Sequence, residues 1–391
     1  MDITIQPGTL AGIVTVPPSK SVAHRMLICA AFAQQETTLS CPQSGEDLLA
    51  TMDCLRALGA DVTVEKGFIH IRPIRKTTPQ ATLPCKESGT TLRFFLPIVG
   101  ALGVDATFVL EGRLSQRPLS PLWEEMERMG CALSRPTEHT LRCTGKLRPG
   151  NYCIPGNISS QFLSGLAFAL PLIQGHTSLS VLGQAESQPY YAMTQQILEM
   201  FHYPGKQIPR NIPVEGDWSS AAFWHCANAL GSKIHIEGLQ TPSVQGDSAI
   251  VDLLWALEEN LTLSARDIPD LIPALAVVAA AKKGAVFTDI QRLRLKESDR
   301  VNAIIQLLQN LGGKAKATEN TLTVHGTGLL GGTVHSFHDH RIAMAAAIAA
   351  TVCTQPVTIL QAKCVKKSYP AFWDHYTALG GKLWQTSMEN A

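Results

Sequence analysis

Pro17-Pro18-Ser19-Lys20-Ser21-Val22-Ala23-His24-Arg25-Met26-Leu27-Ile28-Cys29-Ala30-Ala31-Phe32-Ala33 reads as an extended segment, a polar cap and an apolar helix. The prolines hold the start extended, and a serine at the cap can accept from the N–H groups that a first turn leaves without partners. Lys20, Ser21 and Arg25 stand at or inside the helix start. There the dipole is positive and backbone N–H groups point outward, so a phosphate or carboxylate is favoured. A single such copy is better read as an ordinary capped helix with solvated charges.

Five further stretches repeat the pattern. They are Ser88-Gly89-Thr90-Thr91-Leu92-Arg93, Ser159-Ser160-Gln161-Phe162, Asp217-Trp218-Ser219-Ser220, Ile268-Pro269-Asp270-Leu271 and Asp339-His340-Arg341-Ile342. Each opens on a polar cluster and runs into an apolar, often Ala-rich helix, at a spacing of roughly 50–70 residues that suits a repeated α/β module. A second, amphipathic helix is expected after each, near Glu46–Leu58, Pro121–Met129, Tyr190–Phe201, Asp247–Glu259, Glu297–Leu311 and Tyr369–Leu379. Gly59, Gly312 and Gly380 punctuate the ends of three of these, where glycine suits a C-cap.

Short strands fill the intervals: Ile3–Ile5, Gly12–Val16, a hairpin over Ala60–Ile71 turning at Lys66-Gly67, then Leu133–Cys143, Lys233–Glu237, Lys314–Val324 and Gly332–Val334. One module reads strand–helix–strand–helix–strand pair. Gly205–Pro213 is rich in Pro and Gly and reads as a linker, with three modules before it and three after. The fold class is α/β, and 391 residues exceed what one core usually supports. Domain II is expected over 18–214, and domain I over 1–17 together with 215–391.

The net charge of +1 gives no reason to expect nucleic acid or a membrane as partner. Ten cysteines without a Cys-x-x-Cys pair read as reduced thiols, and the first residues show no signal-peptide core, so a cytoplasmic protein is expected. Cations gather at the module junctions instead: Arg113 and Arg117 before Pro118, Arg292 to Arg300 with Lys296, Glu297 and Asp299 among them, Arg341, and Lys366-Lys367. The planar fork of arginine suits carboxylates and phosphates, so a multiply anionic ligand is implied. Lys366 reads as well as part of a solvated face.

Ser19-Lys20-Ser21…Arg25, Ser88-Gly89-Thr90…Arg93, Arg113…Arg117-Pro118, Ser159-Ser160-Gln161-Phe162, Leu295-Lys296-Glu297-Ser298-Asp299-Arg300 and Asp339-His340-Arg341-Ile342-Ala343-Met344 together resemble the enolpyruvylshikimate-phosphate synthases. The likeness runs from Lys20 to Pro370, in the family's order. It implies an inverse-barrel type of α/β fold: two domains of three βαβαββ units each, with the active site in the cleft between them. It further implies transfer of the enolpyruvyl group of phosphoenolpyruvate to the 5-hydroxyl of shikimate 3-phosphate, with no metal or organic cofactor, by a monomer.

By matching positions, Lys20, Ser21, Arg25, Ser159, Ser160, Gln161, Ser187, Tyr190, Asp270 and Lys296 would hold shikimate phosphate. Lys20, Gly89, Arg117, Gln161, Arg300, Arg341 and Lys367 would hold phosphoenolpyruvate. Asp270, Glu297 and Lys20 are the catalytic candidates, Asp270 as general base and Glu297 as proton donor to the methylene carbon. Asp270 also reads as a helix cap, and Glu297 as a charge partner in its cluster. Gly89→Ala is expected to weaken glyphosate more than phosphoenolpyruvate and to leave stability unchanged or improved.

Glu87, Arg292 and Phe94 depart from the family pattern, where Asn, Asn and Pro are usual. A carboxylate at Glu87 should repel phosphate unless Lys86 or an arginine neutralises it. A UDP-sugar enolpyruvyl transferase would carry a cysteine in the loop where Gly112 to Pro118 have none. An RNA-terminal phosphate cyclase would want a basic groove and a nucleotide-attaching histidine. His338 and His340 are the closest-spaced candidates, and the balanced charge speaks against that reading.

Overall fold

In the computed structural model, which describes residues 1–42, 45–183, 187–205, 211–259 and 262–386, the chain opens with β1 (Asp2–Ile5) and β2 (Ala11–Thr15). Both strands find their partners in the second half of the chain. Next come α1 (Lys20–Ala31), β3 (Thr37–Ser40), α2 (Glu46–Ala57), β4 (Asp61–Glu65) and β5 (Phe68–Arg72). The second module is β6 (Gln80–Lys86), α3 (Gly89–Leu102), β7 (Asp105–Leu110), α4 (Leu122–Arg128), β8 (Cys131–Thr137) and β9 (Thr140–Gly145). The third is β10 (Gly150–Pro155), α5 (Ser160–Ala169), β11 (Thr177–Leu182) and α6 (Gln188–Met200), leading to β12 (Asn211–Pro213).

The second half continues with α7 (Trp218–Ala229), β13 (Lys233–Glu237) and α8 (Ile250–Ala256). The fifth module is β14 (Thr262–Ser264), α9 (Ile272–Ala281), β15 (Gly284–Thr288), α10 (Arg300–Asn310), β16 (Lys314–Ala317) and β17 (Thr321–His325). The sixth is β18 (Gly332–His335), α11 (His340–Ala349), β19 (Val357–Leu360), α12 (Phe372–Ala378) and β20 (Leu383–Thr386). Two compact units result: Met1–Pro17 with Gly216–Ala391, and Pro18–Glu215.

Four sheets share one plan, a parallel pair extended by two antiparallel strands. Their strand orders are β12-β3-β5-β4, β6-β7-β9-β8, β14-β15-β17-β16 and β18-β19-β1-β20. Two of these borrow a strand. β12, at the end of the third module, pairs parallel to β3, and β1 lies between β19 and β20 with Ile3 opposite Ile359. The remaining modules hold only parallel pairs among the described residues, β10 with β11 and β2 with β13. The expected strand–helix–strand–helix–strand pair is thus complete in four modules and shortened in two. The stretch read as a linker contains β12; its residues 206–210 lie outside the described part.

The first helices are largely apolar because they are largely buried, three of them on almost every side. In α3 the residues from Leu92 to Ala101 are all buried, as are those from Ile272 to Ala280 in α9 and all of α11. These helices form the cores: α3 packs on α5 in one unit, and α7, α9 and α11 pack on one another in the other. The second helices lie outside them and, except for α6, are shorter than their patterns suggest. The Asp247–Glu259 segment is a 3-10 turn, the two-turn α8 and another 3-10 turn. α10 begins at Arg300 because Asp299 caps it, which leaves Glu297 outside the helix. α12 begins at Phe372, since Pro370 biases the residue before it away from helical geometry.

Candidate active site

Side-chain caps set the starts of five of the six first helices. Ser19, Ser88 and Ser159 accept from Val22 N, Thr91 N and Gln161 N at 3.4, 3.2 and 3.3 Å. Asp217 and Asp339 accept from Ser220 N and Arg341 N at 2.7 and 3.0 Å. The exception is α9, whose cap position is Leu271 with no side-chain bond. The expected capping role of Asp270 is therefore not realised. Asp270 lies in the turn ahead of the helix, and its carboxylate is engaged by arginines instead.

That carboxylate is the hub of a charge cluster in the unit formed by 1–17 and 216–391. Arg300, 1 % exposed, donates from Nη1 to Asp270 Oδ1 at 2.6 Å, from Nη2 to Glu297 Oε2 at 2.7 Å and from Nε to Asp339 Oδ2 at 2.8 Å. Arg341 Nη2 donates to Asp270 Oδ2 at 2.8 Å, and Lys296 Nζ stands 3.7 Å from Asp270 Oδ1. Burial alone would raise the Asp270 carboxyl, but Arg341, Lys296 and Arg300 outweigh it and hold the group well below the usual carboxylate range. Lys296, half-buried, is pushed down to about 8, chiefly by desolvation and against the pull of Asp270. Glu297, one of the two roles open for it being a charge partner, is paired with Arg300. Lys367 donates to the carbonyl of His338 at 3.1 Å, whereas Lys366 is exposed.

In the unit formed by 18–215, Lys20 pairs with Asp47 at 2.9 Å across the first turns of α1 and α2. Arg25 is buried: Nε donates to Thr194 Oγ1 at 2.7 Å, Nη1 to the carbonyl of Ser21 at 2.7 Å and Nη2 to that of Tyr190 at 2.9 Å. Burial brings its guanidinium down to about 10. Its charge lies 5.1 Å from the centre of the Phe94 ring, which gives the unusual phenylalanine a physical role as a cation–π partner. Ser160 opens α5 behind its Ser159 cap, and Ser187 precedes α6 at φ 52°. Arg93 Nη1 donates to Gln161 Oε1 at 3.1 Å and Nη2 to the carbonyl of Pro118 at 3.1 Å, which joins the starts of α3 and α5 to the Arg117 loop.

Gly89 is where that joint is tightest. A Cβ there would stand 2.5 Å from Arg117 Nη1 and 2.7 Å from Arg93 Nη1. The expectation that Gly89→Ala leaves stability unchanged is corrected accordingly, because both guanidinium groups would have to move. Glu87 folds over Gly112, whose own Cβ would meet it at 2.8 Å, and Lys86 turns to Asp53 at 4.0 Å.

Each unit thus gathers cations and backbone N–H groups around its first-helix starts. Residues 5–376 match the family model described as EPSP synthase (3-phosphoshikimate 1-carboxyvinyltransferase). The chain belongs to the EPSP synthase family. A curated relative from Clostridium perfringens (strain ATCC 13124), named 3-phosphoshikimate 1-carboxyvinyltransferase, is 39% identical over 97% of this chain and 99% of its own. One of the same name from Clostridium acetobutylicum is 36% identical over 99% of both. The fold matches a solved EPSP synthase from Acinetobacter baumannii with TM-score 0.79, at 24% identity over 98% of this chain and all of that one.

Three members of these clusters escaped the sequence reading as site residues: Asp47, Asp247 and Asp339. Asp247 is buried, bonded to Ser219 Oγ, and raised to about 6 by desolvation and by the charge of Asp270, with Arg341 opposing. A common signal marks two of them. Asp47 in Gly45-Glu46-Asp47 and Asp247 in Gly246-Asp247 both follow a glycine where the second segment of a module begins. Among the described residues, no group of three or more His, Cys, Asp or Glu side chains could hold a metal ion, and no helix is long and apolar enough to cross a membrane.

Proposed function

We propose that this chain transfers the enolpyruvyl group of phosphoenolpyruvate to the 5-hydroxyl of shikimate 3-phosphate and releases inorganic phosphate. The observation that carries the reading is the family match over nearly the whole chain, on residues that place a cation at three of the six first-helix starts. Both substrates are polyanions. Lys20, Ser21, Arg25, Ser159, Ser160, Gln161, Ser187, Tyr190, Asp270 and Lys296 are assigned to shikimate phosphate, and Lys20, Gly89, Arg117, Gln161, Arg300, Arg341 and Lys367 to phosphoenolpyruvate.

The 5-hydroxyl must lose a proton as its oxygen bonds to C2 of phosphoenolpyruvate, and C3 must gain one; departure of phosphate and loss of a C3 proton restore the double bond. Asp270 is assigned the first transfer and Glu297 the second. As held by Arg300 and Arg341, Asp270 is a weak base. A bound anion that draws Arg341 toward itself loosens that hold and raises Asp270 toward a working pKa. Lys20 is assigned a supporting positive charge. The enzyme works as a cytoplasmic monomer in this reading.

Phosphate release from phosphoenolpyruvate tests the proposal: it should require shikimate 3-phosphate, and turnover with UDP-N-acetylglucosamine in its place would overturn it.

A further inference from the structure

Behind the starts of α1, α2 and α3 lies a buried file of polar side chains that no substrate touches in the assignment above. His24 Nδ1 is 2.7 Å from Thr51 Oγ1, which is 2.8 Å from Thr91 Oγ1, and Thr91 Oγ1 donates to Ser88 Oγ at 2.7 Å. All four residues are fully buried. Ser88 Oγ also accepts the N–H of Thr91 at 3.2 Å, which is the cap of α3. The file runs one helical turn behind the Lys20–Asp47 pair, since His24 and Thr51 follow those residues by four.

Its direction is fixed by counting protons. A hydroxyl has one to give. That of Thr91 goes to Ser88, because the competing carbonyl of Asp47 is 3.5 Å away. Thr91 must then accept from Thr51, which leaves Thr51 able only to accept from His24. The imidazole therefore carries its proton on Nδ1. Nε2 is left as a bare acceptor, buried with no hydrogen-bond partner among the described residues. Burial, with Lys20 and Arg25 nearby, keeps the ring neutral. A buried acceptor without a partner has a cost, and this tautomer is retained in spite of it.

We propose that His24 is a positioning residue: its Nδ1–H sets the direction of the chain through Thr51 and Thr91 that locks the Ser88 cap, and so holds the N–H of Gly89 in register with the Lys20 end of α1. This rests on the reading of Gly89 as a phosphoenolpyruvate contact. The test removes the donor, moves it, or breaks the chain further along. His24→Phe and Thr51→Val should each raise KM for phosphoenolpyruvate roughly tenfold, the worth of about one hydrogen bond, with kcat and the Kd of shikimate 3-phosphate little changed. The double variant should be no worse than either, because both break one chain.

His24→Asn keeps an N–H on the atom bonded to Cγ and should restore most of the affinity, whereas His24→Gln, with its amide one bond further out, should not. Equal impairment of the Asn and Phe variants, additive effects, or parallel loss of both substrates would overturn the proposal. A second measurement is independent of turnover. In the whole protein labelled with nitrogen-15 at histidine, the His24 signals, identified by their loss in His24→Asn, should show Nδ1 protonated and Nε2 bare across the pH range in which exposed histidines titrate. A proton on Nε2 would overturn the tautomer and the proposal with it. Failure of wild-type turnover would count instead against the assigned reaction.

Discussion

At the scale of single residues, Arg300 bears the largest electrostatic burden. It is buried against Asp270, Glu297 and Asp339, and although burial opposes its charge, those three carboxylates hold its pKa well above the usual value. Arg300→Met should therefore destabilise the protein by about 3–5 kcal/mol, since breaking a buried pair leaves uncompensated charge behind; urea unfolding measures this. Lys296 acts at a different pH. It keeps its proton below about 8 and sheds it above. Affinity for shikimate 3-phosphate should weaken as pH rises through that value, and Lys296→Arg should abolish this limb because arginine stays charged. The effect on folding has the opposite sign. With the folded pKa below the ordinary lysine value of 10.5, the folded chain releases the proton first, so stability rises between about 8 and 10.5. A titration of Kd against pH on both forms decides the binding claim.

Elements meet where glycine permits it. Gly165 on α5 faces the backbone of Arg93 on α3, so close that an added Cβ would collide with the Arg93 carbonyl and crowd Pro97 Cγ at 3.0 Å. Backbone cannot yield as a side chain can, and Gly165→Ala should cost about 1–3 kcal/mol of stability, read from thermal or urea unfolding. At Gly89 the obstacles are two flexible guanidinium groups. Gly89→Ala should thus lose less stability than Gly165→Ala but raise KM for phosphoenolpyruvate. Unchanged KM would remove Arg117 and Gly89 from the phosphoenolpyruvate site.

On the scale of the whole chain, the topology separates a continuous unit from a divided one. Residues 18–215 contain every strand partner they use, including β12 for β3. Residues 216–391 lack β1, the strand between β19 and β20, and β2, the partner of β13. Expressed alone, 18–215 should unfold cooperatively by circular dichroism, whereas 216–391 should need 1–17 restored to do so. A cooperative transition in 216–391 by itself would show that the missing strands are dispensable.

The sequence determined what local chemistry controls. Period and polarity mark each apolar first helix, Ser or Asp marks most caps, and Lys66-Gly67 marks a hairpin turn between β4 and β5. It also carried the family, through motifs in order from Lys20 to Pro370. Residues 1–17 are already expected with the second half, but only tertiary structure chose the partner strands, because β1 and β12 read alike whichever strand they pair with. It alone decided that Asp270 serves two arginines and not a helix cap, that Phe94 lies under the guanidinium of Arg25, and that His24 hands its proton inward to Thr51. These are choices of partner among side chains far apart in the chain. A carboxylate, a ring or an imidazole has the same local preferences in each case, and the geometry of its neighbours selects among them.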